Sequence, residues 1–341
     1  MLFESRKGRF LFARGNLSSI VEGKIPSRRV NRDVTQAESD ELCALLSLGI
    51  QQKTGIPCIF KSYSTYRLAI SIDLGAVEPS DRIGNTDPGY ATEADYAVPS
   101  IESNFEVVWS APLDDDPRAR HSATVVNEIT RVAHELLDQH PINRTRRHDG
   151  RLPINHVLMR DFGVSLPNVD SFLSRWGLRA KYFHDLPVEL GVAKYLGMDH
   201  EEAGCKAANV EAYTSAARLI SRDVGSYDLV VFHVKGPDEP GHDGDWRKKV
   251  TAIEAVDAGL FGIIGPLLNE YDANLCVTSD HATCWAIGTH TSDRVPLILR
   301  PSRSDRTALG LRLTERDCAR GTVSIKSAWE LMPLLTIGLG Q

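Results

Sequence analysis

Several features that mark other classes of protein are missing from this chain of 341 residues. No stretch reaches the about 20 consecutive apolar residues that a membrane-spanning helix needs, and the first residues lack the apolar core of a signal peptide. Basic residues are in the minority, with a net charge of -6 at pH 7, which argues against nucleic-acid binding. The 6 cysteines include no CxxC pair, so we expect reduced thiols and no disulfide framework. The sequence therefore predicts a cytoplasmic enzyme or binding protein with no membrane and no nucleic-acid partner.

The second half of the chain alternates predicted strands with predicted helices. Clusters of β-branched and aromatic residues between turn signals predict strands at 154–159, 178–183, 227–234, 274–278 and 295–299. Apolar residues at helical spacing predict helices at 187–196, 210–224 and 246–268. Because residues 227–234 are almost all apolar, we expect that strand to be covered on both faces. This order is typical of an α/β domain with a mostly parallel sheet and helices on both faces.

The first part of the chain mixes short strands and amphipathic helices. Strands are predicted at 9–14, 56–61, 66–73 and 105–109, helices at 38–51 and 122–139, and mostly loop in the rest of 77–116. A basic run with two prolines, residues 140–153, is the predicted domain boundary. We therefore expect a smaller α+β substrate-binding domain at residues 1–147 and a metal-binding α/β domain at 148–341.

Acidic and imidazole side chains collect where the predicted strands of the second domain end. They are Asp238, His242, Asp280, His281 and His290. Because parallel strands bind ligands at their carboxyl ends, we expect these five side chains to face one region. Carboxylates and neutral imidazoles together suit Mn²⁺, Zn²⁺ and similar ions, so the pattern predicts a metal site. The nearby Asp245, just before a predicted helix, is interpreted as the N-cap of that helix.

Three segments of the chain resemble motifs of a known family. The segments KGPDEPGHDGD (235–245), TSDHAT (278–283) and HTSDRVP (290–296) are similar to the metal-binding motifs of archaeal-type cofactor-independent phosphoglycerate mutases, within the alkaline phosphatase superfamily. Less specific similarities follow the same order along nearly the whole chain. They are Arg14 to Asn16, Arg28 and Arg29 with Arg32, Tyr66 and Arg67, Thr86 to Pro88, His140 and Pro141 with Asn143, and Asn155 with Arg160.

The resemblance implies an alkaline-phosphatase-like, mostly parallel sheet with helices on both faces, incomplete at its N-terminal part, plus the smaller α+β domain. It also implies phosphoryl transfer from 3-phosphoglycerate through an enzyme serine to give 2-phosphoglycerate. Two divalent metal ions are implied, Mn²⁺ first, with Zn²⁺, Co²⁺ or Mg²⁺ as alternatives. Asp238, His242 and His290 match the ligands of one metal, and Asp280 with His281 match part of the second.

The same resemblance implies a small phosphorylated carboxylate as substrate. A guanidinium group matches carboxylate and phosphate oxygens bidentately, and an ammonium group also binds phosphate. The candidate substrate-binding residues are Arg14, Arg28, Arg29, Arg67, Arg160 and Lys235.

Two elements of the family pattern have no counterpart in this sequence. The family begins with a strand ending in an Asp-Gly pair, whose Asp binds the second metal, and a serine nucleophile follows it. Neither is found here, so the catalytic nucleophile is left unassigned and the second metal site is expected to be incomplete. Loss of a central strand exposes apolar faces and an open sheet edge. We therefore expect a complementing N-terminal polypeptide or a homo-oligomer.

Three interpretations of function stay open at this point. The chain is part of a phosphoglycerate mutase whose nucleophile is supplied elsewhere, or it is a divergent phosphatase or phospho(no)transferase acting on a small phosphorylated carboxylate. The third interpretation is a catalytically inactive, mutase-like binding or regulatory protein. Retention of five ligand-type side chains favours an enzyme, with an isomerase of the phosphoglycerate mutase type first.

Overall fold

The computed structural model describes residues 9–93, 96–99, 105–301 and 312–337. The chain divides into two compact units, Met1–Asn168 and Val169–Gln341. The domain boundary predicted at residues 147 and 148 stays a prediction, and the strand His156–Gly163 that follows it pairs with the strand Phe10–Val21 of the first unit. The predicted α/β class is confirmed by the parallel and antiparallel sheets and the helices between them.

The first unit is an antiparallel sheet with helices packed against it. Its strands are β1 (Phe10–Val21), β2 (Lys24–Ser27), β3 (Cys58–Ser64), β4 (Arg67–Asp73), β5 (Tyr90–Glu93), β6 (Tyr96–Pro99), β7 (Phe105–Glu106) and β8 (His156–Gly163). Its helices are α1 (Gln36–Thr54), α2 (Pro117–Asp138) and α3 (Pro141–His148), with a 3-10 turn at Val30–Arg32. The order β3-β4-β1-β2-β7, with β8 also paired to β1, makes a six-stranded sheet, while β5 and β6 pair with each other.

Local sequence signals explain where the long helices begin and end. Thr35 and Glu38 form a capping box at the start of α1, in which each side chain bonds the other residue's backbone N–H. The helix stops at Gly55, whose φ of 75° places it in the left-handed region that favours glycine. Asp116 accepts a hydrogen bond from the backbone of Arg118 at the start of α2.

The two faces of β1 have different roles. Ala13 and Leu17 lie in the buried cluster that the sheet forms with α1 and α2. Successive residues of a strand point to opposite faces, so Arg14 and Asn16 lie on the face away from this cluster. The first unit therefore has an apolar face for its core and a polar face that carries Arg14, the predicted substrate-binding arginine of β1.

The predicted boundary run, residues 140–153, is a packed part of the first unit. It contains α3, and Asn143 and Arg146 of that helix are buried. The Asn143 amide donates to the backbone oxygens of Leu137 and Ile154, both at 2.7 Å, and accepts from the Ile154 N–H at 2.6 Å. Buried side-chain hydrogen bonds of this kind join α2, α3 and the approach to β8.

The second unit contains short strands and helices in alternation. Its strands are β9 (Ala180–His184), β10 (Asp199–Glu202), β11 (Leu229–Phe232), β12 (Leu275–Thr278), β13 (Ala282–Cys284), β14 (Thr289–Thr291) and β15 (Leu297–Arg300). Its helices are α4 (Phe172–Trp176), α5 (Pro187–Tyr195), α6 (Val210–Ser221), α7 (Asp238–His242), α8 (Trp246–Val256), α9 (Gly262–Glu270), α10 (Glu315–Cys318) and α11 (Leu331–Ile337). A π-helical turn, Asp257–Phe261, joins α8 to α9, and Ala328–Glu330 is a 3-10 turn.

The strands of the second unit form separate sheets within the described residues. β10, β9 and β11 are parallel, in that order, whereas β12 pairs antiparallel with β15. All four residues of β11 are only partly buried, although the sequence predicts a strand covered on both faces. Both faces do contact apolar clusters, because Val230 and Phe232 pack against one buried cluster and Leu229 and Val231 pack against another. The burial is only partial because, among the described residues, β11 has a strand neighbour on its β9 side alone.

The helical stretch Trp246–Glu270 is long and apolar enough to cross a membrane by length and composition alone. A core helix of a globular unit meets the same criteria. Ala255 and Leu260 of this stretch are buried in one cluster with Tyr213 and Ala217 of α6. The stretch therefore contributes buried residues to the core of the second unit.

Candidate metal centre and arginine cluster

The carboxylate of Asp238 is the centre of a polar cluster in the second unit. Asp238 begins α7, in the segment that follows β11, and its side chain is only 13% exposed. One oxygen accepts a hydrogen bond from the Thr283 hydroxyl at 2.5 Å, and the other binds the Lys235 ammonium. Burial alone would raise the pKa of Asp238, but the His290 imidazole, Lys235 and Thr283 together hold that pKa well below its usual range. Asp238 is therefore an ionised carboxylate.

Two histidines reach Asp238 from the hairpin of β13 and β14. His281 immediately precedes β13, and His290 lies in β14 opposite Thr283. The two imidazole rings stack with their centroids 3.5 Å apart. One candidate ligand atom from each of Asp238, His281 and His290 lies within 4.8 Å of the other two. Burial lowers the pKa of His281, which favours the neutral imidazole that binds metals.

His242 joins the same cluster from the far end of α7. It follows Asp238 by four residues, so the two side chains share one face of the helix, with His242 Nε2 3.5 Å from Asp238 Oδ2. The His242 Nδ1–H donates to the backbone oxygen of Gly288 at 2.8 Å, which leaves the Nε2 lone pair facing Asp238. Gly288 has a φ of 67°, a turn conformation that favours glycine. The ring centroid of His242 is 4.9 Å from that of His290.

Asp280 lies at the edge of the cluster. Its carboxylate is 63% exposed and approaches His281 Nε2 at 3.2 Å. Of the five predicted metal ligands, the structure thus gathers three histidines around Asp238 and places the fifth residue, Asp280, against His281. It also groups His281 with Asp238 and His290, whereas the sequence resemblance assigns His281 to a different metal.

The cluster fits a divalent metal ion. His290 Nε2 is buried, lies 3.6 Å from Asp238 Oδ1 and has no hydrogen-bond partner among the described residues. A buried nitrogen without a partner is costly unless something binds it. A carboxylate oxygen surrounded by imidazole nitrogens is the donor set that Mn²⁺ and Zn²⁺ accept.

Three of the predicted substrate-binding arginines meet on the polar face of the first unit. Arg14 of β1 lies opposite Arg160 of β8 in the strand register. Asp161 bridges this pair, 3.3 Å from Arg14 and 3.2 Å from Arg160. Arg28 is bound by both carboxylate oxygens of Asp87, at 2.6 and 2.7 Å, and Arg160 approaches the same carboxylate at 3.5 Å. We call these five residues the arginine cluster.

The other predicted substrate-binding residues lie outside the arginine cluster. Arg67 of β4 is opposite Asn16 of β1, on the same face of the sheet, and packs on the ring of Tyr66. Arg29 is partly buried at the start of the turn Val30–Arg32. Lys235 belongs to the second unit, where it binds Asp238.

The sequence reasoning missed several residues that the structure places in these clusters. Thr283 holds Asp238, and Asp87 with Tyr90 contacts two of the arginines. Thr283 and Asp87 do fall within segments that resemble the family, which was a usable signal. No sequence pattern marks Tyr90 as a functional residue, because an aromatic residue in a polar loop is not specific for any role.

Comparisons with known proteins identify relatives of this chain. A family model described as the metalloenzyme superfamily matches residues 80–336, and a model of 2,3-bisphosphoglycerate-independent phosphoglycerate mutase matches residues 4–143. A mutase of that name from Aeropyrum pernix is 33% identical over 97% of this chain and 79% of its own length. The enzyme of the same name from Pyrobaculum islandicum is 32% identical over 94% of this chain and 75% of its own length.

Solved structures show the same fold. The cofactor-independent phosphoglycerate mutase of Thermoplasma acidophilum superposes with a TM-score of 0.54 at 23% identity, over 98% of this chain and 78% of that one. A protein from Pyrococcus horikoshii superposes with a TM-score of 0.62 at 22% identity, over 92% and 69% of the two chains.

Proposed function

This chain belongs to the 2,3-bisphosphoglycerate-independent phosphoglycerate mutase family, within the metalloenzyme superfamily, and from that membership we propose its reaction and its site. We propose that it interconverts 3-phosphoglycerate and 2-phosphoglycerate as a metal-dependent cytoplasmic isomerase. The observation that carries the proposal is the convergence of Asp238, His281 and His290 within 4.8 Å.

The proposed metal site uses the five side chains predicted from the sequence. Asp238, His242 and His290 would hold one Mn²⁺ ion, and Asp280 with His281 would form part of a second site. When bound, such ions stabilise the attacking and leaving oxygens of phosphoryl transfer. The chain itself fixes the ligands: Thr283 orients the Asp238 carboxylate, and the Gly288 carbonyl sets the tautomer of His242.

Cationic side chains are proposed to bind the anionic groups of the substrate. The guanidinium groups of Arg14, Arg28 and Arg160 would bind carboxylate or phosphate, with Arg29 and Arg67 as further candidates. Burial lowers the pKa of Arg160, yet an arginine stays charged at neutral pH because its ordinary pKa lies far above 7. Lys235 is proposed to release Asp238 to the metal and contact phosphate.

A product assay tests the reaction. Purified protein reconstituted with Mn²⁺ and supplied with 3-phosphoglycerate is expected to form 2-phosphoglycerate, detected by ³¹P NMR, and EDTA is expected to stop the reaction. Release of inorganic phosphate in place of 2-phosphoglycerate would contradict the mutase reaction and indicate a phosphatase. Binding of 3-phosphoglycerate without any turnover would contradict the enzyme and indicate a binding or regulatory protein.

We also propose that a strand from outside the described residues completes the second unit, carried by a complementing polypeptide or a second copy of the chain. Among the described residues, β11 pairs only with β9 and β12 only with β15, so each presents an open edge. Apolar residues of α8 are uncovered, with Val250 43% and Ile253 51% exposed. Open strand edges and exposed apolar faces are the usual sites of association.

Light scattering after size-exclusion chromatography tests this association. The purified chain is expected to run above its monomer mass of 37.6 kDa, or to bind the dye ANS as a monomer because its apolar faces are exposed. A compact monomer of that mass without dye binding would overturn the proposal. Substituting Leu48, which is 64% exposed in α1 of the first unit, with Ser is the control and is expected to change neither result.

A further inference from the structure

A tight turn in the first unit carries two side chains that contact the arginines. The Tyr90 N–H donates to the Asp87 backbone oxygen at 3.1 Å, and the Gly89 N–H donates to the Asp87 carboxylate at 3.1 Å. The preceding residue, Thr86, bonds Met159 of β8 in both directions, at 2.9 and 2.8 Å. The turn 87–90 is therefore closed on itself and fastened to the strand that carries Arg160.

The Asp87 end of the turn fixes the position of Arg28. The Asp87 side chain is 1% exposed, and it accepts two hydrogen bonds from the Arg28 guanidinium in a bidentate arrangement. Such pairs restrict both the position and the plane of the guanidinium. Asp87 takes two of the five N–H donors that Arg28 carries and the Tyr90 side chain is a further hydrogen-bond partner, so part of the donor set remains for a ligand.

The Tyr90 end of the turn supports both arginines through its ring. The guanidinium carbons of Arg28 and Arg160 lie 4.9 and 3.9 Å from the Tyr90 ring centroid. Both distances are within the range of cation–π attraction. The ring therefore acts together with the Asp87 carboxylate, which also approaches both guanidinium groups, to hold two like charges near each other.

Gly89 leaves room for this arrangement. A Cβ atom at residue 89 would lie only 2.1 to 2.4 Å from the guanidinium atoms of Arg28. Any larger side chain there must displace that guanidinium. Three of the four positions of the turn thus connect to the placement of Arg28, Arg160 or both, and the fourth, Pro88, limits the backbone.

We propose that the turn 87–90 is a positioning element that holds Arg28 and Arg160 ready for an anionic group of the substrate. Asp87 and Tyr90 are positioning residues for these arginines, and the ligand class is a small phosphorylated carboxylate. Preorganised arginines bind an anion without first losing rotamer freedom, so the turn improves affinity. This inference rests on the proposed function, from which its test is separable.

The experiment measures anion binding without chemistry. Calorimetry on the metal-stripped full chain, with 3-phosphoglycerate and separately with inorganic phosphate, gives the affinity of each variant. Tyr90→Leu is expected to weaken binding about tenfold, whereas Tyr90→Phe, which keeps the aromatic ring, is expected to stay within about twofold of the wild type. Gly89→Ala, which keeps both positioning residues and displaces Arg28, is expected to weaken binding about tenfold as well.

Asp87→Asn separates positioning from charge. Removing a negative charge from the cluster would tighten anion binding if charge alone mattered, whereas positioning predicts about tenfold weaker binding. Asp73→Asn is the matched control, because Asp73 is also a buried carboxylate paired with an arginine, Arg9 of the same sheet. We expect Asp73→Asn to leave anion affinity unchanged.

The outcomes separate this inference from the proposed function. If Asp87→Asn, Tyr90→Leu and Gly89→Ala all bind 3-phosphoglycerate with wild-type affinity, the positioning role is overturned and the mutase proposal stands. Phosphate binding that depends on Asp87 and Tyr90, without 3-phosphoglycerate binding, would support the positioning role and contradict the mutase substrate. No binding of either anion would overturn the positioning role. Thermal denaturation identifies any variant that unfolds. In that case the anion affinity of Gly89→Ala decides whether the positioning role stands.

Discussion

Asp238→Ala is expected to remove the metal and the activity together. Asp238 supplies the one carboxylate that the cluster shares, within 4.8 Å of ligand atoms of His281 and His290. Loss of residues that only orient a ligand weakens metal binding 10- to 100-fold, so loss of a direct ligand should cost at least about a hundredfold in Mn²⁺ affinity. Since the metal contributes several kcal/mol of transition-state stabilisation, turnover should fall about a thousandfold or more. Isothermal titration with Mn²⁺ and the mutase assay measure the two losses.

Asp245→Asn is the control for this prediction. Asp245 lies in the same sequence motif but caps α8, where its carboxylate accepts from the Lys248 N–H at 3.0 Å, as the sequence predicts. Asparagine caps helices about as well as aspartate, so metal affinity and turnover should stay near wild type. Equal losses in the two variants, or full metal affinity in Asp238→Ala, would contradict the assigned centre.

Arg146→Ala is expected to destabilise the first unit by about 3 kcal/mol, because it removes a buried guanidinium and leaves its carboxylate and backbone acceptors unsatisfied. The Arg146 side chain is 1% exposed and donates to Glu38 Oε1 at 2.9 Å. It also donates to the backbone oxygens of Asp33 and Leu152, both at 2.7 Å. This one guanidinium thus joins the start of α1 to the segment between α3 and β8. Urea unfolding of the full chain measures the loss.

Arg151→Ala is the matched control for Arg146→Ala. Arg151 binds the same Asp33 carboxylate, at 2.7 Å, but its side chain is 34% exposed. Surface ion pairs contribute about 0–1 kcal/mol, so this substitution should have little effect on the free energy of unfolding. If both substitutions lower the free energy of unfolding by similar amounts, burial of Arg146 does not explain its contribution to stability.

The sequence was most informative where periodicity and chemistry agree. The helices α1 and α2 and the parallel strands β9 and β11 lie close to their predicted positions, because apolar spacing and turn residues are local signals. Asp238, His281 and His290 could be proposed together because each follows or precedes a predicted strand. In the structure Asp238 follows β11, whereas His281 and His290 belong to the separate hairpin of β13 and β14, so their convergence depends on tertiary contacts and not on one shared sheet edge.

Other features depend on contacts that no local pattern records. The run that contains α3 is predicted as the domain boundary because it is basic and holds two prolines. Its packing within the first unit is visible only from the buried side chains of Asn143 and Arg146. The antiparallel pairing of β12 with β15 depends on which strands are neighbours in space. Tyr90 gains its role from two arginines that are distant from it in the chain.

Anomalous diffraction from crystals grown with Mn²⁺ tests the central claim, that Asp238 and the histidines around it form the metal centre. The account predicts a manganese peak at coordination distance, about 2–2.5 Å, from the Asp238 carboxylate and from Nε2 of His242 and His290. Lys235 is then displaced from Asp238. A manganese peak elsewhere, with Asp238 still bound to Lys235, would contradict the account.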